Sequence, residues 1–321
     1  MPLIEKSTYH MPRWLRGGHL QTIYPALFRH FEPVTHQPER LELADGDFID
    51  LEWAGNGSSR LAILSHGLEA NVRTGYIQGM AAALARQGWD VLAWNFRGCS
   101  HEPNRKLRMY HSGETEDFHK VISHALANHP AKSIDLIGFS LGGNITLKYL
   151  GEQPDRISPR LRRAVTFSVP CDLACSSKQL ARLSNKIYME RFLIDMRKKL
   201  RAKKKIFPDQ LDLTGLDAIR TFHEFDNRYT APIHGFRDAV DYWERNSCRQ
   251  FLPKIKLPAL LVSAANDPFL GPHCYPHSEA TNSEFFHFEM PENGGHVGFH
   301  SAGRNGAYWS EERAIEFLSD E

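Results

Sequence analysis

Ser140 stands between two glycines in Gly138-Phe139-Ser140-Leu141-Gly142, after the apolar run IDLI and before the helical pattern GGNITLKYL. A serine hydroxyl is a weak nucleophile, so it needs exposure, a neighbouring base and a receptor for the oxyanion it creates. A strand–turn–helix elbow exposes the hydroxyl, and its glycines let strand and helix backbones approach. The helix N-terminus adds a dipole that favours negative charge. The plain alternative is a glycine-rich turn without chemistry, and the strand before it and the helix after it argue against that.

A base and an acid should follow the nucleophile in the order Ser, Asp, His. Asp267 lies in AANDPFLG, directly after the apolar run PALLVSA, and His296 lies in ENGGHVGF, directly after EFFHFEM. Each is placed in a loop at the carboxyl end of a strand, where open α/β sheets gather their chemistry. Alone, Asp267 reads as a turn-former before Pro268, and His296 as a surface loop residue. Order and position together favour a Ser–His–Asp triad. Asp172, after the run RAVTFSV, is a rival acid, but Asp at a helix start reads more simply as a cap. His66-Gly67-Leu68 follows the strand LAILS. The backbone amides of Leu68 and Leu141 are the expected oxyanion donors, and His66 is read as a structural ring holding its loop.

The elements that must position these residues are short apolar runs alternating with helical patterns. Strands are expected at LAILSHG (61–67), WDVLAWN (89–95), IDLIGFS (134–140), RAVTFSV (ending at Val169), PALLVSA (258–264) and EFFHFEM (284–290). Helices are expected at 76–87, 115–128, 141–150 and 308–318. This alternation predicts an α/β fold with a mainly parallel central sheet flanked by helices. LELAD (41–45) and FIDLEW (48–53), around Gly46-Asp47, read as an antiparallel hairpin at its edge. Residues 1–36 show no clear period and are expected to wrap the surface, anchored by Trp14, Leu20, Ile23 and Tyr24. From 171 to 249 the alternation lapses into helical pattern, far longer than an ordinary αβ loop. This segment is expected to be a helical cap inserted after the sixth strand of a single domain spanning 1–321.

The 39 Lys+Arg nearly balance 38 Asp+Glu, a net charge of +1 that argues against a nucleic-acid partner held by bulk charge. Five scattered cysteines without a CxxC pair indicate free thiols in a reduced compartment. The N-terminus lacks a signal-peptide apolar run, and no segment reaches the roughly 18 apolar residues of a membrane span. A cytoplasmic enzyme is expected. The pairs His273/His277 and His296/His300 have i, i+4 spacing, but Pro276 and Gly298 interrupt them and HExxH is absent, so no metal is expected. No phosphate-binding glycine loop follows a strand, and no cofactor is expected.

Met189, Leu193, Met196 and Leu200 fall at helical spacing, and seven of the nine residues from Arg197 to Lys205 are basic. The simpler reading is a cap helix with its apolar stripe inward and lysines in water. The other is peripheral contact with an anionic membrane through this basic helix.

The run HGLEANVRTGYIQGMAAALARQGWDVLAWNFRGCS resembles the YheT-type hydrolases of the AB hydrolase 4 family. So do YHSGETED, GFSLGGN, FSVPCDLA, FDNRYTAPIHGF, NDPFLGP, GGHVGF and the N-terminal RWLRGGHLQTIYPALF. The resemblance covers nearly the whole chain and implies the α/β-hydrolase fold. It further implies a triad on Ser140, Asp267 and His296, and carboxylesterase or acylglycerol-lipase activity on a small-molecule acyl ester. Ala70-Asn71-Val72 depart from the small, Gly/Ser-rich turn usual after HGLE. Acyl transfer to an alcohol and a catalytically silent binding module are the alternative functions, although decayed members lose a triad residue and all three are present here.

Overall fold

Runs rich in Leu, Ile and Val build the centre of a single nine-stranded sheet in the computed structural model, which describes residues 2–31, 34–301 and 306–320. In chain order the first elements are β1 (Leu3–Ile4), α1 (Gly18–Phe28), β2 (Gln37–Glu42), β3 (Phe48–Ala54), β4 (Arg60–Ser65), α2 (Gly75–Arg86) and β5 (Asp90–Trp94). Then follow α3 (Thr115–Asn128), β6 (Ser133–Phe139), α4 (Leu141–Glu152) and β7 (Leu161–Phe167). Helices α5 (Leu173–Leu180), α6 (Lys186–Ile206), α7 (Phe222–Phe225), α8 (Ala231–Ile233) and α9 (Ala239–Asn246) come next. The chain returns to the sheet with β8 (Ala259–Val262), α10 (His277–Thr281), β9 (Phe286–Glu289) and α11 (Trp309–Ser319).

The strand order is β1-β9-β8-β7-β6-β4-β5-β3-β2. From β1 to β5 all neighbours are parallel, whereas β3 runs antiparallel to β5 and β2 antiparallel to β3. Central strands such as β4 and β5 are buried on both faces, as continuous apolar runs require. Apolar layers lie on both sides of the sheet. One joins Ile63, Leu136 and Leu261 to Phe118, Val121 and Ile145 of α3 and α4. The other joins Leu64, Ile137 and Val262 to Ile77, Met80 and Phe317 of α2 and α11. Leu193, Leu200, Phe225, Tyr242 and Trp243 form a third apolar core within the helices between β7 and β8, where the cap was expected.

Three expectations need correction. The hairpin's first strand spans 37–42, not 41–45, because Asp45 and Asp47 beyond its end turn to bind the buried Arg97 guanidinium at 2.7 and 3.0 Å. The N-terminal segment is not a plain wrap, although Glu32 and Pro33 lie outside the described residues. It adds the edge strand β1 and the eleven-residue helix α1. Nor are its anchors those expected: Trp14 and Leu20 are exposed, Ile23 and Tyr24 are half-buried, and the buried residues are Tyr9, Leu15, Gln21 and Pro25. α1 turns its apolar side chains out and a polar one in, so hydrophobic periodicity misassigns it. Finally, the lysines of α6 are not all in water. Arg197 and Lys203 are buried, with Arg197 donating to the Ile219 carbonyl and Lys203 to the carbonyls of Asn104 and Lys106. Its apolar stripe does point inward: Met189, Leu193 and Leu200 are buried.

Candidate active site

β6 ends at Phe139 and α4 begins at Leu141, which leaves Ser140 alone on the turn with φ of +51°. A non-glycine residue in this region stores backbone strain, a cost found at positions that must aim a side chain. Close packing fixes the turn. A methyl on Gly138 would overlap the Gly143 backbone, and one on Gly142 would overlap the carbonyl oxygens of Ser65 and His66. Only glycine lets α4 approach β6 and β4 so closely.

Asp267 follows β8 and His296 follows β9, as expected from the sequence. Ser140 Oγ lies 2.9 Å from His296 Nε2, and His296 Nδ1 lies 2.9 and 3.1 Å from the two carboxylate oxygens of Asp267. The network assigns the ring's proton to Nδ1, donating to Asp267, which leaves Nε2 to accept from the serine. Asp267 is buried and also accepts from the Phe269 amide at 2.9 Å. The Phe269 ring packs against the imidazole at 4.1 Å. These contacts hold a carboxylate, an imidazole and a hydroxyl in one line.

The histidine loop is braced by residues not predicted for the site. Thr22 Oγ accepts from the His296 amide at 2.9 Å, and Gln21 Oε1 accepts from the Gly294 amide at 2.8 Å. Asn266 Oδ1 accepts from the Gly295 amide at 3.0 Å, and Ser168 Oγ from the Val297 amide at 2.9 Å. Ser168, Val297 and Phe299 all have positive φ. Strain in this loop is thus offset by side-chain acceptors, two of them from α1. The only sequence signal for this was the unusual Gln-Thr pair inside an otherwise apolar helical stretch.

Leu68 and Leu141, whose backbone amides are the expected oxyanion donors, line the same cavity as Ser140. Among the described residues neither amide has a partner, although the neighbouring amides of Gly67 and Glu69 donate to the hydroxyls of Tyr76 (2.9 Å) and Tyr110 (3.0 Å). A methyl on Gly67 would lie 3.3 Å from Ser140 Cβ, which places the loop directly against the nucleophile position. His66 is buried and structural: its Nδ1 faces the Gly67 carbonyl at 2.8 Å, and its Nε2 accepts from the Phe96 amide at 3.2 Å. Burial pushes its pKa down to about 3, so the ring is neutral.

Beyond Leu68, Glu69 has φ of +52° and a buried carboxylate. That carboxylate accepts from Tyr110 Oη at 2.7 Å and from Lys199 Nζ at 2.9 Å. Lys199 belongs to α6, so this ion pair ties that helix to the loop carrying Leu68. Burial opposes the Lys199 charge, but Cys99 and Glu69 keep its pKa above the ordinary lysine value.

Between the sheet and α5, α6, α7 and α9 lies a cavity of about 110 Å³ that includes Ser140 and His296 in its wall. Leu68, Leu173, Phe192, Met196, Phe225 and Phe269 give it an apolar lining, with a polar cluster at Asp226, Thr230, His234 and Tyr242. Burial raises the Asp226 carboxyl to about 6, against hydrogen bonds from Thr230 and Trp243. Asp172, the rival acid, caps α5 by accepting from the Cys175 amide at 2.8 Å. His273 is 3.6 Å from that carboxylate, and His300 packs beside Trp14, Tyr24 and Tyr308. Among the described residues no group of three or more His, Cys, Asp or Glu could hold a metal ion.

With fold and site in place, their class is defined. The family model for the alpha/beta hydrolase fold matches residues 63–302, and the chain belongs to that family. Within it, the chain is a YheT-type protein, in keeping with the resemblance read from its motifs. It is 36% identical to YheT of Escherichia coli (strain K12), which carries the name of an esterase, over 298 residues, 89% of this chain and 85% of that one. It is 27% identical to phospholipase ABHD3 of Mus musculus over 303 residues, 91% of this chain and 73% of the relative. Among solved structures, the Pyrococcus furiosus esterase Pf2001 aligns with a TM-score of 0.60 at 16% identity, covering 89% of this chain and 90% of that one. A likeness at that identity shows the shared fold.

Proposed function

We propose that this esterase/lipase-type hydrolase cleaves carboxylic esters through a covalent acyl-enzyme on Ser140. The observation that carries this reading is the unbroken hydrogen-bond line from Ser140 Oγ through His296 to Asp267. His296 Nε2 takes the serine proton as Oγ attacks the ester carbonyl, and Asp267 orients the ring and stabilises the imidazolium that forms. The tetrahedral oxyanion is received by the amides of Leu68 and Leu141 at the start of α4, where the helix dipole adds to the field. His296 then gives its proton to the leaving alcohol. Water then loses a proton to the same nitrogen as its oxygen bonds to the acyl carbon, and His296 returns that proton to Ser140 Oγ as the Oγ–carbon bond breaks and the acid leaves.

The relatives named as esterase and phospholipase support an acyl ester as substrate. The largely apolar cavity favours a small hydrophobic acyl or alkyl group beside the serine. The chain's own residues supply every proton transfer in the cycle. The test is hydrolysis of p-nitrophenyl butyrate by wild type and by Ser140→Ala. The reading expects a loss of about 10⁴-fold or more in the variant, and equal rates would refute it.

A further inference from the structure

Apolar side chains that a protein leaves in water in one contiguous area commonly mark a surface it presses against something. Helix α1 exposes Leu20, Leu27 and Phe28, and Trp14 lies 4.7 Å from Tyr24 beside them. The turn before α6 and that helix's outer face expose Leu183 (88%), Ile187 (70%) and Ile194 (50%). A spacing of seven puts Ile187 and Ile194 on one side of α6, and Leu183 stands in the turn just before it. The two stripes leave from one junction, where the His19 and Tyr188 rings stack at 5.7 Å and hydrogen-bond at 3.1 Å. Tyr188 also packs on Phe269 at 4.7 Å, and Phe269 on His296. The exposed apolar face therefore adjoins the candidate site.

Charge says what this face fits. Arg16, Lys178, Arg182 and Lys186 are exposed, and among the described residues none has a carboxylate partner. The acids of this half of α6 are already engaged: Glu190 pairs with Arg197 at 2.7 Å and Asp195 with Arg191 at 3.2 Å. An apolar ridge flanked by unpaired cations matches the boundary between acyl chains and anionic headgroups. The basic run Arg197–Lys205 is not the contact, because Arg197, Lys199 and Lys203 are spent on internal partners and Arg201 pairs with Asp217.

We propose that the outer faces of α1 and the N-terminal half of α6 dock the protein on an anionic lipid surface, with the candidate site adjoining the contact. Insertion of Leu183 and Ile187 supplies apolar burial, and the cations supply headgroup attraction. No helix among the described residues is long and apolar enough to cross a membrane, so the contact is a surface one.

The test is flotation of the full chain carrying Ser140→Ala, which reads docking without turnover, so its outcome is separate from that of the esterase reading. Vesicles of phosphatidylcholine alone are compared with vesicles containing phosphatidylglycerol, at low and at high salt. The proposal expects capture by the anionic vesicles, weakened by salt. Leu183→Ser with Ile187→Ser should reduce it about tenfold, and Arg182→Glu or Lys186→Glu about fivefold or more each. Both sets change exposed residues outside the site, so wild-type-background versions should keep their activity on p-nitrophenyl butyrate. No capture, equal capture by neutral vesicles, or capture unchanged in the variants would overturn the proposal. So would a solution dimer dispersed by Ile187→Ser without any vesicle capture, which would assign the face to a second copy.

Discussion

Thr22, on the N-terminal helix, holds the amide of His296, the proposed base, at 2.9 Å from a point 274 residues away in sequence. That bond does not touch the reacting atoms. It makes Thr22 a positioning residue for a loop whose Val297 and Phe299 carry positive φ.

Replacing Thr22 with Val keeps the shape and removes the acceptor. Small misplacements of a catalytic group are costly, so kcat should fall about tenfold or more while KM changes little. The folded state should lose only about 1 kcal/mol. Steady-state kinetics beside a thermal melt checks this, and unchanged kcat would show that the loop holds itself.

The ion pair between Glu69 and Lys199 gives a second expectation. Lys199→Met leaves the Glu69 carboxylate buried and short of its cation, at a cost of about 3 kcal/mol. Adding Glu69→Gln removes the stranded charge and should recover much of that loss. Urea unfolding of both single variants and the double variant forms the cycle. Additive losses would mean that the two groups do not interact.

Acid should destabilise the protein through His66. Its folded pKa of about 3 lies below the ordinary value of 6.5, so the unfolded chain binds a proton that the folded ring refuses. The stabilisation is fully present above pH 6.5 and is lost as pH falls toward 3, on the order of 4 kcal/mol in all. His66→Gln should flatten this part of the stability profile between pH 6.5 and 4. Parallel profiles for the two proteins would assign the acid sensitivity elsewhere.

The cavity of about 110 Å³ is smaller than the roughly 150 Å³ that holds a benzene ring in a protein interior. With the cap as seen here, short acyl groups should be preferred, butyrate over decanoate by about tenfold in kcat/KM. Met196→Ala enlarges the lining and should narrow that gap. A wild type that already prefers decanoate would require the cap to stand further from the sheet during turnover.

What the sequence disclosed and what it concealed have the same physical source. Central strands and the helices beside them are patterned by burial, so Ile134–Phe139, Ala259–Val262 and the turn at Ser140 could be read from apolar runs and glycines. The places of Asp267 after β8 and His296 after β9 followed because chain order fixes which strand end each residue leaves. α1 stayed hidden because it buries Gln21 and exposes Leu27, the reverse of the usual signal. The edge strand β1 is only two residues long and borrows its pairing from β9. The supporting bonds of Thr22 and Ser168 join residues remote in the chain, and single hydroxyls carry no periodicity. The α6 lysines misled for a related reason: Lys203 reaches buried carbonyls that only the folded chain brings together.

The most direct test of the central claim is covalent trapping with a fluorophosphonate ester, followed by intact mass and peptide mapping. Fluoride leaves as Oγ bonds to phosphorus, provided that the base at 296 and the oxyanion amides activate the attack. The account predicts one adduct per chain, on the peptide carrying Ser140, absent in Ser140→Ala and strongly slowed in His296→Ala. An adduct on any other residue, or labelling that His296→Ala leaves at the wild-type rate, would contradict it.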